Sequence, residues 1–168
     1  MSKLFDRWVK WMKRRGSYRL IKLHPDGREG IEEKVPYLER FFIFRLPGRG
    51  GLFLHKFHMS DPEEPHDHPW NSGGIVLSGL YWEKSLDGRV HERNAGYIRW
   101  CRSAGELHRV ILPPTYKPWT LFWHGKRIRE WGWLEGAKWV RSPDNDIVQK
   151  APMKGWVFPY VDNLKVEA

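Results

Sequence analysis

The sequence has 168 residues, which is enough for one domain with a single core and too few for a second full domain. Hydrophobic residues make up 40% and charged residues 29% of the chain, so the composition excludes a disordered or fibrous protein. Lys and Arg outnumber Asp and Glu by 29 to 20, and the formal net charge of +9 favours anionic partners such as phosphates, nucleic acid or acidic lipid.

Targeting segments and cysteine content further restrict the expected location of the protein and the kind of metal site that it can contain. No apolar run approaches the roughly 18 to 20 residues that cross a bilayer, and the N-terminal segment lacks the apolar stretch of a signal peptide. We therefore expect a cytoplasmic protein. Cys101 is the only cysteine, which excludes an internal disulfide and any multi-cysteine metal site. A metal ion in this chain would be held by histidine and carboxylate.

Residues 1–17 are predicted to form a short basic amphipathic helix. Between positions 3 and 15, apolar side chains recur at helical spacing while Lys and Arg fill the other face. Such a helix either anchors the chain on nucleic acid or an acidic membrane surface, or packs on the domain with its charges in water. We favour packing, because one short helix without a second anchoring feature binds membranes weakly.

Residues 18–140 are predicted to form an all-β domain. Short runs rich in aromatic and β-branched residues alternate with turn segments such as LPGRGG and LDGR, which is typical of a β-sandwich or closed barrel. The predicted strands are RLIKL, LERFFIFRL, GLFLHKFHM, GGIVLSGLYWEK, GYIRWC, HRVIL, WTLFWH and IREWGWL. Residues 141–168 are expected to wrap the barrel as a tail, with a short helix near 145–149.

Two segments of this β region contain histidines that suit a metal ion. EEPHDHPW places His66 and His68 two residues apart, and such residues project from the same face of an extended strand. Alone, HDH is more often a solvated surface turn than a metal site. A third histidine, His108, opens the apolar strand HRVIL, and a strand pairing beside the first would bring it onto the same ion. Three neutral imidazoles leave coordination positions open for water, O₂ or substrate.

The two segments together resemble the paired motifs of the cupin superfamily. The first is HDHPWNSGGIVLSG, residues 66–79, and the second is GELH, residues 105–108. The resemblance implies a cupin double-stranded β-helix, or jelly-roll, barrel in which His66, His68 and His108 bind one divalent metal ion. Fe(II) is the expected ion, with Zn, Mn or Ni as alternatives. Because cupin barrels often pair, a homodimer is a further possibility.

The first motif departs from the family pattern at Ser72 and Gly73, where cupins usually have a glutamate. We therefore predict a three-histidine centre, which resembles the cupin thiol dioxygenases in its ligand set. Glu83, a few residues beyond the motif, is the candidate for a replacement ligand or a general base. The alternative is that Glu83 is a solvated carboxylate at the end of a strand.

Side chains around the predicted centre indicate a small anionic substrate. If RIREWGW is a strand, Arg127, Arg129 and Trp131 share a face, and guanidinium and indole groups together suit an organic anion. His58 continues a period-2 series of the preceding strand and is predicted to face the barrel interior as a further substrate-binding residue. His55 would then point to the opposite face.

These features predict a metal-dependent cupin enzyme, specifically a mononuclear non-haem iron dioxygenase or oxygenase. One alternative is an isomerase or lyase that uses Zn, Mn or Ni as a Lewis acid. Another is a non-catalytic module that binds a ligand or nucleic acid through its positive charge. We favour the oxidoreductase, because basic charge is common whereas two matched histidine motifs are not.

Overall fold

The computed structural model describes residues 3–23, 35–61 and 64–142 of the chain. Within these ranges the chain forms one helix and eleven strands. They are α1 (Lys3–Arg14), β1 (Tyr18–Leu23), β2 (Val35–Leu46), β3 (Gly50–Phe57), β4 (Ser72–Ser78), β5 (Leu80–Ser85), β6 (Val90–Asn94), β7 (Ile98–Arg102), β8 (His108–Ile111), β9 (Trp119–His124), β10 (Gly132–Glu135) and β11 (Lys138–Arg141). The predicted tail helix near 145–149 lies outside the described residues.

The strands form two antiparallel layers. The first sheet has six strands in the order β1-β2-β3-β9-β4-β7. In the second layer, β6-β5-β8 and the hairpin β10-β11 are linked by His66, which forms antiparallel bridges with both His108 and Trp133. Residues of both layers line one interior cavity, so the sheets face each other across it. The all-β prediction for this region is confirmed.

The predicted strand GGIVLSGLYWEK is two strands that belong to different layers. The chain leaves β4 in the first sheet and enters β5 in the second at Gly79, whose φ is +73°. A Cβ at Gly79 would lie 3.2 Å from the Cα of Pro118. The left-handed backbone and this close approach both favour glycine. Two further strands, β6 and β11, lie in segments where the sequence pattern predicted none.

Helix α1 packs on the outer face of the first sheet. Met12 of the helix forms a buried cluster with Phe41, Leu54 and Trp119 from three neighbouring strands. The ring of Phe5 meets that of Trp119 edge-on, with 5.0 Å between the centroids. The predicted helix is therefore present and packed against the sheet. No helix in the described part of the chain is long and apolar enough to cross a membrane.

We expect Phe41→Ala to destabilise the fold by about 3–5 kcal/mol, because a fully buried ring is lost between α1 and the sheet. Urea unfolding of the purified variant measures the change. Ile43→Ala is the matched control, since Ile43 lies on the same strand and is 44% exposed. Its expected cost is below about 1 kcal/mol. Equal losses in the two variants would contradict the packing of α1 over Phe41.

Candidate metal centre

The backbone of His66 positions two of the three predicted metal ligands. His66 and His108 exchange two backbone hydrogen bonds, each 3.0 Å from nitrogen to oxygen. Residues that pair directly in an antiparallel bridge project their side chains to the same side. His68, two residues after His66, projects to that side as well. The pairing therefore places all three imidazoles on the inner side of the second layer.

The three imidazole rings form a compact cluster. The ring centroid of His66 lies 5.1 Å from that of His68 and 4.8 Å from that of His108. The centroids of His68 and His108 are 5.0 Å apart. One ring nitrogen from each residue lies within 4.8 Å of the other two. The cluster is therefore tight enough for the three nitrogens to be shared by one ion.

Burial keeps two of these imidazoles neutral. Loss of solvent lowers the pKa of both His68 and His108 well below 6.5, and the neighbouring His66 and Arg102 lower it further. A neutral imidazole has a nitrogen lone pair free for a metal ion. The donor set thus fits a divalent transition metal such as Fe, Zn, Mn or Ni.

Asp67, the residue between the two histidines, ties the metal segment to the β10-β11 hairpin. Its carboxylate is 1% exposed and accepts hydrogen bonds from Gly132 N at 2.8 Å, Arg129 at 2.5 Å and the indole of Trp139 at 3.1 Å. These contacts hold the backbone of the HDH segment rigidly. This role was not predicted, because the partners of Asp67 are distant in the sequence and its only local indication is its place between two inward histidines.

Asp61 lies beside the cluster from the other direction. It accepts hydrogen bonds from the Tyr37 hydroxyl and, at 2.6 Å, from Val110 N. Its Oδ2 atom is 3.8 Å from Nδ1 of His66. A carboxylate this close to an imidazole favours a ring orientation that faces it, although 3.8 Å is too long for a hydrogen bond. The place of Asp61 could not be predicted, because its partner residues are far away in the chain.

The structure explains the absence of the usual glutamate after the second histidine. A Cβ at Gly73 would lie 2.4 Å from the carbonyl oxygen of Trp100 and 2.5 Å from the ring of Trp123, so no larger residue fits there. Ser72 lines the cavity but has no carboxylate. Among the described residues, the candidate ligand group consists of the three histidines, and the nearby Asp61 is not a member of it.

Glu83 lines the same cavity but is held by arginines. It is 3% exposed, and its Oε2 accepts from Arg93 Nε at 3.0 Å and from Arg99 at 3.3 Å. Its other oxygen is paired with Arg102. Glu83 is therefore a buried carboxylate, and the alternative of a solvated carboxylate at the end of a strand is wrong. Its predicted role as ligand or base stays a prediction, and both of its oxygens already have cationic partners.

The histidine cluster opens into a cavity of about 360 Å³ between the two layers. Aromatic rings from both layers form much of its wall. Its charged lining residues are Arg19, Arg40, Asp61, Glu83, Arg99 and Arg102. Four arginines against two carboxylates give the cavity an excess of positive charge.

Of the predicted substrate-binding residues in RIREWGW, only Trp131 lines the cavity. The segment is irregular up to Trp131, and β10 begins at Gly132, so the shared strand face assumed for Arg127 and Arg129 does not exist. Arg129 is directed to Asp67 instead. A role of these arginines in substrate binding remains untested.

His55, rather than His58, lies on the cavity wall. His55 is 4% exposed, and its ring stacks on Phe122 with 5.0 Å between centroids. His58 lies 2.9 Å from Glu39 and is not part of the lining. The predicted orientation was wrong, because the apolar series that ends at His58 faces α1 on the outer side of the sheet. The substrate-binding role of His58 stays a prediction.

Solved structures provide an independent comparison of the fold. The polyketide cyclase RemF from Streptomyces resistomycificus aligns with 68% of this chain and 82% of its own, at 18% identity and a TM-score of 0.50. A sugar phosphate isomerase of the cupin superfamily from Silicibacter pomeroyi aligns with 74% of this chain and 81% of its own, at 15% identity and a TM-score of 0.50. This chain has the cupin fold.

At these identities the comparison establishes the fold of this chain and not its activity. No protein-family profile matches the sequence, and no curated protein matches it. The predicted double-stranded β-helix is confirmed, and the three-histidine cluster lies inside it. The function has to be argued from the site.

Glu83→Gln separates the two roles open to this carboxylate. If Glu83 holds the arginines and does not bind metal, the variant should keep its metal content and lose about 3 kcal/mol of stability, because buried guanidinium groups lose their counter-charge. Elemental analysis and urea unfolding measure the two effects. A clear fall in metal content without a stability loss would instead identify Glu83 as a ligand.

His124 should contribute to acid sensitivity. Its ring stacks against Trp70 and Phe53, and burial lowers its pKa to about 4. Below the ordinary pKa of about 6.5, the unfolded chain binds a proton that the folded chain does not, so stability falls as the pH drops from 6.5 towards 4. By pH 5 this difference in proton binding should lower the free energy of unfolding by about 1–2 kcal/mol.

His124→Phe removes this titration. Urea unfolding at pH 7 and pH 5 should therefore show a smaller loss of stability in the variant than in the wild type. The comparison uses the difference between the two pH values, because other buried histidines also contribute in both proteins. Parallel pH profiles would contradict a low pKa at His124.

Proposed function

We propose that this cupin is an enzyme that uses one Fe(II) ion to oxidise a small anionic organic molecule with O₂. The observation that carries the proposal is the candidate ligand set of three imidazoles in the wall of a cavity large enough for an organic substrate. Bound there, Fe(II) would supply open coordination positions for O₂ chemistry.

The residues of the chain itself would orient the ligands and exclude water. Asp61 favours one orientation of His66, and Asp67 holds the ligand segment against β10. Trp131 is the predicted substrate-binding residue that we retain, because it lies in the cavity wall. The excess of arginine over carboxylate in this wall supports an anionic substrate.

A second candidate is a Lewis-acid isomerase, cyclase or lyase that uses Zn, Mn or Ni. It is supported by the similar folds of RemF and the Silicibacter pomeroyi isomerase. Such reactions move protons and need an available base. Both carboxylates in the cavity wall, Asp61 and Glu83, are already held by donors. We therefore place oxidation first.

Metal content is the first test of the proposal. His66→Ala and His108→Ala should each reduce the bound metal by at least about tenfold, because two imidazoles hold an ion much more weakly than three. His58→Ala is the control and should keep its metal, since this ring lies at Glu39. Elemental analysis of the purified variants gives the result. Full metal content in both ligand variants would overturn the site.

Oxygen consumption then separates the two candidates. Protein loaded anaerobically with Fe(II) should consume O₂ when a matching organic acid or organic phosphate is added, and His68→Ala should not. Turnover of a substrate without O₂, by protein loaded with Zn, Mn or Ni, would favour the Lewis-acid enzyme. Absence of both activities across a panel of organic anions would contradict an enzymatic role.

A further inference from the structure

Two arginines and a histidine stand side by side on the inner face of the first sheet. The strand register pairs Arg19 of β1 with Arg40 of β2, and Arg40 with His55 of β3. All three residues line the cavity. Directly paired residues of antiparallel strands have their Cβ atoms about 5 Å apart, and like charges in this position repel. The two guanidinium groups therefore form a local concentration of positive charge.

Arg40 has contacts but no counter-charge. Its Nε donates to Nε2 of His55 at 2.9 Å, and its guanidinium carbon lies 5.3 Å from the ring centroid of Phe53. Within residues 3–23, 35–61 and 64–142, no carboxylate forms an ion pair with Arg40. Burial and the charge of Arg19 lower the pKa of Arg40 to about 10, so it stays charged at neutral pH.

His55 does not compensate this charge. Burial and the neighbouring Arg40 lower the pKa of His55 well below 6.5, so the ring is neutral and accepts the hydrogen bond from Arg40. The arginines on the other side of the cavity differ, because Arg99 and Arg102 are paired with Glu83. Among the described residues of this wall, Arg40 on β2 therefore has a charge that no carboxylate compensates.

This wall and the histidine cluster belong to the same cavity. Arg40 and His68 both line this cavity, so a molecule bound at one side chain shares its space with the other. The rings of Phe57 and Phe122 also line the cavity. A molecule with an anionic end and an apolar body fits between Arg40 and the histidines.

We propose that Arg19 and Arg40 form a subsite for a dianionic phosphoryl group, and that the substrate of this cupin is an organic phosphate. Two adjacent guanidinium groups match the charge and the oxygen geometry of a phosphate better than those of a single carboxylate. The subsite holds the phosphate while the rest of the substrate reaches the three histidines. This substrate class rests on the proposed function, but binding at the subsite does not need the metal.

Calorimetric titration of metal-free protein with phenyl phosphate tests the subsite. Wild type should bind it, and Arg40→Gln should bind at least about tenfold more weakly, because a charged hydrogen-bond donor is lost. Arg49→Gln is the matched control, since it removes the same charge from an exposed turn and should leave the affinity within about twofold. Inorganic phosphate should bind more weakly than phenyl phosphate, and benzoate more weakly still.

A further variant and a metal control make the result decisive. Arg40→Lys keeps the charge without the planar donor pair and should show intermediate affinity, and the affinity of wild type for phenyl phosphate should be the same with and without added metal. Thermal unfolding checks that each variant is folded, and Arg19→Gln replaces Arg40→Gln if the latter does not fold.

Unchanged affinity in the arginine variants would overturn the subsite. So would an absence of binding in wild type, or binding that appears only with metal and is lost in His68→Ala, because the anion would then sit on the metal. Failure of the proposed function gives a different result. Protein that takes up no metal but still binds phenyl phosphate through Arg40 would retain the subsite and lose the metal-dependent enzyme.

Discussion

The backbone pairing of His66 with His108 is the interaction on which this molecule depends. Its two hydrogen bonds connect β8 to a segment that also pairs with Trp133 of β10, and so they join the parts of the second layer. The same pairing sets two imidazoles side by side and brings His68 to their side of the layer. Without it, HDH would be a short polar segment at the end of a loop. The pairing that joins the parts of the second layer therefore also assembles the three-histidine site.

Around this pairing, most buried charge is matched by a specific partner. Asp67 accepts from the hairpin, Asp61 from a tyrosine and a backbone amide, and Glu83 from three guanidinium groups. Buried carboxylates are tolerated only with such partners, since their desolvation is otherwise too costly. Arg40 differs from these groups, because its charge meets a neutral histidine. An anion bound in the cavity would compensate this charge.

Much of the architecture could be predicted because it follows from local patterns. Helical spacing near the N-terminus predicted α1, and short apolar runs predicted most strands. The exceptions have physical reasons. The β6 strand VHERN is polar because it lies at the edge of its sheet, so it has no apolar period. The segment before Gly132 looked like a strand, but its backbone amides bond to Pro69 instead of to a neighbouring strand.

The sequence by itself determined the alternation of the HDH segment and the lack of a carboxylate at positions 72 and 73, because both depend only on neighbouring residues. The tertiary structure decided which third histidine joins them, since the pairing with His108 is long-range. It also decided that His55 faces the cavity and His58 does not. Alternation divides a strand into two faces, but β3 is covered on both sides, by α1 and by the second layer. Only the packing of these elements determines which face is the interior of the site.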